Sequence, residues 1–406
     1  MKRKFSFMAV LLSLVFVLAA CATDTAPAAI PEAGTQEEAD SAGHVLAPIR
    51  IGGINDLSGP RSITGNQINN GAILKVEQIN AAGGILGGRL IEFISYDNSS
   101  DPQETISAFQ RLVELDGVSV VLGSDASGIQ MTLIEISEEL QVPAVGMPSA
   151  PAAVRDLDTD VPHPFMFLVA QPDAVGHAIV TANYIMERTD LRNPAIIFDQ
   201  ANAYSVAFVG GFVYHWENVI GGEITIIENF SAADMDYRTH LGRINASGAD
   251  FIVPPITIPQ VTLLANQAAQ LGMDITFAGS LDMFEAWELI NDPDGIRAIV
   301  PAVVYMGDPR MADFIAAYTE RFGVTPQNKC VNGYDAMTAI ITAIEEAGSD
   351  DPIAIRDALR NISNLYTLVS PHFTMNPSTH GPYDLDMVIL RIEDGEMTFS
   401  GVWSSH

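Results

Sequence analysis

Ser127 and Gly128 stand where backbone chemistry could hold an anion. They follow the apolar run 118–122 and precede a helical pattern over 129–140. A strand-to-helix junction presents free N–H groups and the positive end of the helix dipole, the serine hydroxyl adds a donor, and glycine allows close approach. A serine at this place also serves as a plain N-cap, and both readings fit the residues. Cys21 is the second position with evident chemistry. It closes the run Leu18, Ala19, Ala20, Cys21, behind the basic Lys2, Arg3 and Lys4 and an uncharged apolar stretch over 7–20. That stretch is shorter than the ~20 residues needed to cross a bilayer core, so it reads as an export leader. Small residues before a thiol fit a peptidase and leave the sulfur free to carry a lipid.

Catalytic patterns are not found. The glycines at 83, 84, 87 and 88 end a helical pattern and lead into a strand, the reverse of a dinucleotide site. The stretch 123–128 is not a nucleophile elbow. The eight histidines fall in no metal-binding spacing, and no pair of carboxylates is marked as an acid–base couple. No cofactor, no metal and no enzymatic activity are expected.

The elements around these residues alternate. Strands are expected at 49–54, 90–96, 118–122, 143–145, 195–198, 223–227, 251–253 and 275–278. Helices are expected at 68–79, 102–115, 129–140, 174–186, 205–218, 238–245 and 261–271. Pro102 suits a first helical turn, and Gly83 and Gly84 stop the first helix. Helices at 311–322, 333–347 and 353–359 follow, then strand-like runs at 372–374, 387–392 and 397–402. This rhythm implies α/β architecture with parallel sheets covered by helices on both faces. Two such series imply two lobes, with the chain passing between them more than once. Residues 22–46 lack Lys, Arg and aromatics and read as a tether.

Composition narrows the function. A chain of 406 residues with nearly half of them hydrophobic can bury two large cores. A net charge of −30 argues against nucleic acid, whose phosphates need Lys and Arg. Of the two cysteines, Cys330 has no partner once Cys21 is lipidated, and it reads as a core thiol.

The residues at 18–21 resemble the bacterial lipobox, which implies cleavage before Cys21 and lipid anchoring on the outer face of the cytoplasmic membrane. Residues 51–60 (Ile-Gly-Gly-Ile-Asn-Asp-Leu-Ser-Gly-Pro), 78–85 (Gln-Ile-Asn-Ala-Ala-Gly-Gly-Ile), 120–128 (Val-Val-Leu-Gly-Ser-Asp-Ala-Ser-Gly) and 333–336 (Gly-Tyr-Asp-Ala) resemble branched-chain amino-acid-type binding proteins of ABC importers. The resemblance runs from about residue 49 to the C-terminus. It implies two Rossmann-like lobes joined by three crossovers, the type I periplasmic binding protein or Venus-flytrap fold. Lobe one is expected at 48–169 plus 305–370, and lobe two at 170–304 plus 371–406, behind a leader (1–20) and a lipidated tether (21–47). It also implies a monomer that binds an amino acid or similar carboxylate and passes it to permease and ATPase subunits. By the same resemblance Ser127 and Gly128 hold a ligand carboxylate, with Ser149 and Ala150 as a second loop. Pro151 departs from the family there. Tyr204 would pack on the ligand, and Asp282 would meet an ammonium or cap a helix. Gln171 and Asp173 would line the cleft or cap the next helix. Thr64 and Thr257 stand where amino-acid binders often carry Tyr, so urea, short amides and organic acids stay open as ligands. A sensor acting on a receptor is the alternative role, and an amidase-like hydrolase is a third.

Overall fold

A computed structural model describes residues 46–383 and 385–404. The expected leader, the lipidated Cys21 and nearly all of the tether lie outside the described residues. No helix among the described residues is long and apolar enough to cross a membrane.

The chain opens with β1 (Ile49–Asn55), α1 (Ser62–Ala81), β2 (Ile91–Asp97), α2 (Pro102–Glu114), β3 (Val120–Leu122), α3 (Ser127–Met131), α4 (Ile134–Leu140), β4 (Ala144–Gly146) and β5 (Met166–Leu168). These five strands form a wholly parallel sheet in the order β2-β1-β3-β4-β5. Next come α5 (Ala174–Arg188), β6 (Pro194–Asp199), α6 (Ala203–Tyr214), β7 (Ile226–Phe230), α7 (Arg238–Ser247), β8 (Phe251–Val253), α8 (Ile258–Gln270), β9 (Thr276–Ala278), α9 (Met283–Ala286) and β10 (Arg297–Ala302). The chain then returns to the first sheet with α10 (Ala312–Phe322), α11 (Asn328–Ala347), α12 (Pro352–Asn361) and the two-residue strands β11 (Met375–Asn376) and β12 (Gly381–Pro382). It crosses a third time to β13 (Met387–Glu393) and β14 (Glu396–Trp403).

The second sheet runs β14-β13-β10-β9-β8-β6-β7. It corrects the expectation of two purely parallel sheets, because β13 pairs antiparallel with both β10 and β14. The cause is local. Asp394 and Gly395 both have positive φ and make a two-residue turn, which can join only antiparallel neighbours.

Both faces of each sheet are covered, so the strands read as apolar runs. On one face of the first sheet Ile51, Val120, Leu122 and Phe167 meet Ile68 and Ala72 of α1 and Met337, Ile340 and Ile344 of α11. On the other, Ile54, Val121 and Met166 meet Phe109 and Leu112 of α2. The core on the α1 and α11 side takes in Phe373, Met375 and Leu385, so the chain stays with the first sheet well beyond the expected boundary at 370. Local chemistry explains the helix ends. Asp101 accepts from the Gln103 and Glu104 N–H groups ahead of Pro102, and Asp351 does the same for α12. Two glycines let α1 and α11 touch backbone to backbone. A Cβ on Gly71 would lie 2.0 Å from the Cys330 carbonyl oxygen, and one on Gly333 would lie 2.0 Å from that of Ile68.

Some boundaries moved. The helix expected over 129–140 is two short pieces, α3 and α4, interrupted where the Thr132 hydroxyl turns back to the Ile129 carbonyl. The helix expected from 333 starts five residues earlier, at Asn328. The strand expected at 223–227 lies at Ile226–Phe230, and that expected at 372–374 gives way to β11.

Candidate functional site

In each sheet the strand order reverses once, between β1 and β3 in the first and between β6 and β8 in the second. Loops leaving the carboxyl ends of strands on either side of such a point diverge and leave a crevice. The loops after β1, β3 and β4 face those after β6, β8 and β9 across a cavity of about 390 Å³. Arg61, Asp125, Ser127, Gly128, Ile129, Ser149 and Gln171 line one wall. Asp199, Tyr204, Ile256, Thr257, Leu281 and Asp282 line the other, and Lys329 at the first turn of α11 reaches in as well.

Short hydrogen bonds set the first wall. Ser124 Oγ donates to Asp56 Oδ2 at 2.8 Å and accepts from the Ala126 N–H at 3.0 Å, which fixes the loop after β3. Ser127 Oγ accepts from the Ala150 N–H at 3.0 Å, joining the loops after β3 and β4. Ser149 Oγ accepts from Gln171 Nε2 at 2.9 Å. Both serine hydroxyls therefore keep a proton to donate. Ser127 is not an N-cap. Ala126 holds that place, and Ser127 is the first residue of a five-residue helix. A helix this short has little dipole, so positive charge at this wall comes from side chains instead.

Those side chains are Arg61 and Lys329. Asp125, almost fully buried, accepts from Arg61 Nη2 at 2.7 Å and from Lys329 Nζ at 3.0 Å. Burial by itself would raise its pKa, but the two cations hold the carboxyl down to about 2. Lys329 is also almost fully buried. Desolvation opposes its charge, yet Asp125, Asp282 and Glu285 together raise its pKa above the ordinary value.

The second wall is less compensated. Asp282 Oδ1 lies 3.9 Å from Lys329 Nζ, and burial raises its pKa against the pull of Lys329 and Arg61. Behind it, burial pushes Glu285 up to about 8, and neither carboxyl oxygen has a hydrogen-bond partner among the described residues. Asn202 caps α6 by accepting from the Tyr204 and Ser205 N–H groups at 3.0 and 3.3 Å, and so sets where Tyr204 leaves the backbone. The Tyr204 ring stands edge-on to His177 and Phe208, with centroids 6.2 and 6.0 Å away. His177 is wholly buried at the first crossing, and burial followed by the charge of Lys329 pulls its pKa down to about 3.

Ser127, Gly128, Ser149, Tyr204, Thr257, Asp282 and Gln171 thus share one cavity. Ala150 does not line it and acts through its N–H on Ser127. Thr64 lines a narrow gap beside Thr257 and Asp282 rather than the main space. Asp173 caps α5 through the Gly176 N–H. Asp282 makes no side-chain capping bond to α9, the helix it precedes, but it accepts from the backbone of Ile258 at the start of α8. Sequence reasoning missed Arg61, Asp125 and Lys329. For the two cations the one signal was scarcity, since only 20 of 406 residues are Lys or Arg, and Asp125 had none among 50 acids.

Residues 48–396 match the model of a family described as periplasmic binding protein. The chain belongs to the periplasmic binding protein family. A Pseudomonas aeruginosa relative named leucine-, isoleucine-, valine-, threonine- and alanine-binding protein is 26% identical over 315 residues, covering 77% of this chain and 82% of its own. Among solved structures, a branched-chain amino acid transporter substrate-binding protein of Streptococcus pneumoniae in complex with isoleucine superposes with a TM-score of 0.77 at 22% identity. It covers 88% of this chain and 99% of that one. A solute-binding protein of an ABC transporter from R. palustris, in complex with benzoate, does so at 0.73 and 18% identity, covering 88% and 96%. This periplasmic binding protein therefore has the type I fold, with its cavity at the meeting of two α/β lobes.

Proposed function

We propose that the chain is the extracytoplasmic binding component of an ABC importer, lipid-anchored through Cys21. It captures an amino acid or similar small carboxylate between its lobes and releases it unchanged to the permease. The observation that carries this reading is the cavity where the carboxyl ends of both sheets converge, with donor hydroxyls on one wall and an aromatic cover on the other. Ser127, Gly128 and Ser149 would grip the carboxylate, and Tyr204, Ile256 and Leu281 would enclose the apolar part. Lobes 48–169 plus 305–370 and 170–304 plus 371–406, with the last boundary moved toward 385 to follow the packing of Leu385, would hinge at the crossings. Relatives named for branched-chain amino acids, and a structural neighbour holding benzoate, support a small carboxylate as ligand.

The test is a thermal-shift screen of the full chain against amino acids, carboxylates and amides. A ligand that binds only the folded state raises Tm with concentration. A shift with any small carboxylate supports the proposal, and no shift with any of the three classes overturns it. Loss of uptake of the bound compound on deleting the cognate permease would support the importer role, and unchanged uptake would remove it.

A further inference from the structure

Asp282 is the acid on the second wall that would naturally receive a ligand ammonium, yet a protein cation already stands beside it. Lys329 Nζ sits 3.9 Å from Asp282 Oδ1 while donating to Asp125 Oδ2 at 3.0 Å. The lysine side chain is 7% exposed and starts in the first turn of a helix that touches α1 backbone to backbone, so it is not a surface group free to swing aside. The surrounding acids hold it charged. A ligand ammonium reaching Asp282 would therefore meet a like charge at nearly contact range in a desolvated space.

We propose that Lys329 takes the place of a ligand ammonium beside Asp282, so that this cavity selects small carboxylates carrying no amino group next to the carboxyl. The inference rests on the small-carboxylate reading given above. The other acids on the walls do not offer the missing partner. Asp125 is already paired with Arg61 and Lys329. Asp199, 4% exposed, accepts from the Ala201 N–H at 3.0 Å through one oxygen and from Gln260 Nε2 at 3.3 Å through the other, and Gln260 is itself bonded to the Thr257 N–H. Its carboxylate is thus built into its own loop. Donors for a carboxylate remain on the first wall, in the hydroxyl protons of Ser127 and Ser149 and in the buried Arg61 Nε, which has no hydrogen-bond partner among the described residues. Ile129, Ile256 and Leu281 offer an apolar tail its surface.

Matched acids that differ only in the amino group test this by calorimetry on the full chain: leucine against 4-methylpentanoate, and phenylalanine against 3-phenylpropanoate. The amine-free acid of a binding pair is expected to bind at least tenfold tighter than its amino acid. A smaller preference, or the reverse, overturns the inference and leaves the importer reading standing. If neither acid of either pair binds, the small-carboxylate reading falls and this inference falls with it. Lys329→Met is expected to shrink the preference at least threefold, and an unchanged preference would overturn the role given to the lysine. That variant strips Asp125 of a partner and can fail to fold, so Asp282→Asn serves beside it. It should not weaken the amino acid relative to the amine-free acid, whereas a tenfold loss of amino-acid binding alone would show that Asp282 does hold an ammonium.

Discussion

The two walls of the cleft carry the same acidic side chain in opposite states. On the first, Asp125 lies between two cations and is held down to about 2. On the second, Asp282 is raised and Glu285 is pushed up to about 8, because the nearest cation belongs to the facing wall and is already engaged. Burial is common to all three, so what separates them is the supply of positive charge. The first wall is a finished electrostatic unit, with its acid and both cations paired. The second adds enclosure and holds acids that burial pushes toward the protonated form.

The sharpest way to break this contrast is Asp125→Ala. It leaves Arg61 and Lys329 buried without their shared carboxylate and should cost about 3–5 kcal/mol, read as a lowered urea midpoint. The second wall is probed by pH. Glu285 ordinarily titrates near 4.5 and here near 8, so between those values the unfolded chain gives up a proton that the folded chain keeps. Its contribution is complete below about 4.5 and lost as pH rises through 8, with a slope of roughly 1 kcal/mol per pH unit. Glu285→Gln should flatten that slope in unfolding measured from pH 5 to 8. Asp125 has the other sign, since its contribution is present above 3.8 and lost as pH falls through about 2.

Smaller changes sharpen the comparison. Gly71→Ala drives a methyl into the Cys330 carbonyl and should cost about 1–3 kcal/mol while shifting Lys329 against Asp125. Thermal melts with and without ligand would show whether binding falls beyond the loss in stability. Asn202→Ala removes the cap that starts α6 and should cost about 1 kcal/mol by chemical denaturation, with Tyr204 less well placed.

Local chemistry made much of the fold legible. The Asp101-Pro102 helix start, the glycines that stop α1 and the alternation of short apolar runs with helical patterns are each readable within a few residues. The strand β10 is absent from the expected elements, and Pro301 inside it is a residue that ordinarily argues against a central strand. At the site, residues on strand-to-helix loops could be placed by their position after a strand. Lys329 could not. α11 opens on the polar Asn328 and Lys329 and its N-cap is Gln327, a weak start signal, so the apolar periodicity marks the helix only from Gly333. Its pairing with Asp125 joins positions 204 residues apart, a relation that no periodicity records.

The glycine pair at 71 and 333 has a consequence for redesign. Most groups that line the cavity hang from loops, which are easily exchanged between relatives. Lys329 is mounted on the helical chassis, at a spacing set by two absent side chains on neighbouring helices. Grafting another binder's cleft loops onto this scaffold would import new walls and leave the old cation in place. A chimera built that way would keep part of its parent's selectivity without keeping any of its parent's loops.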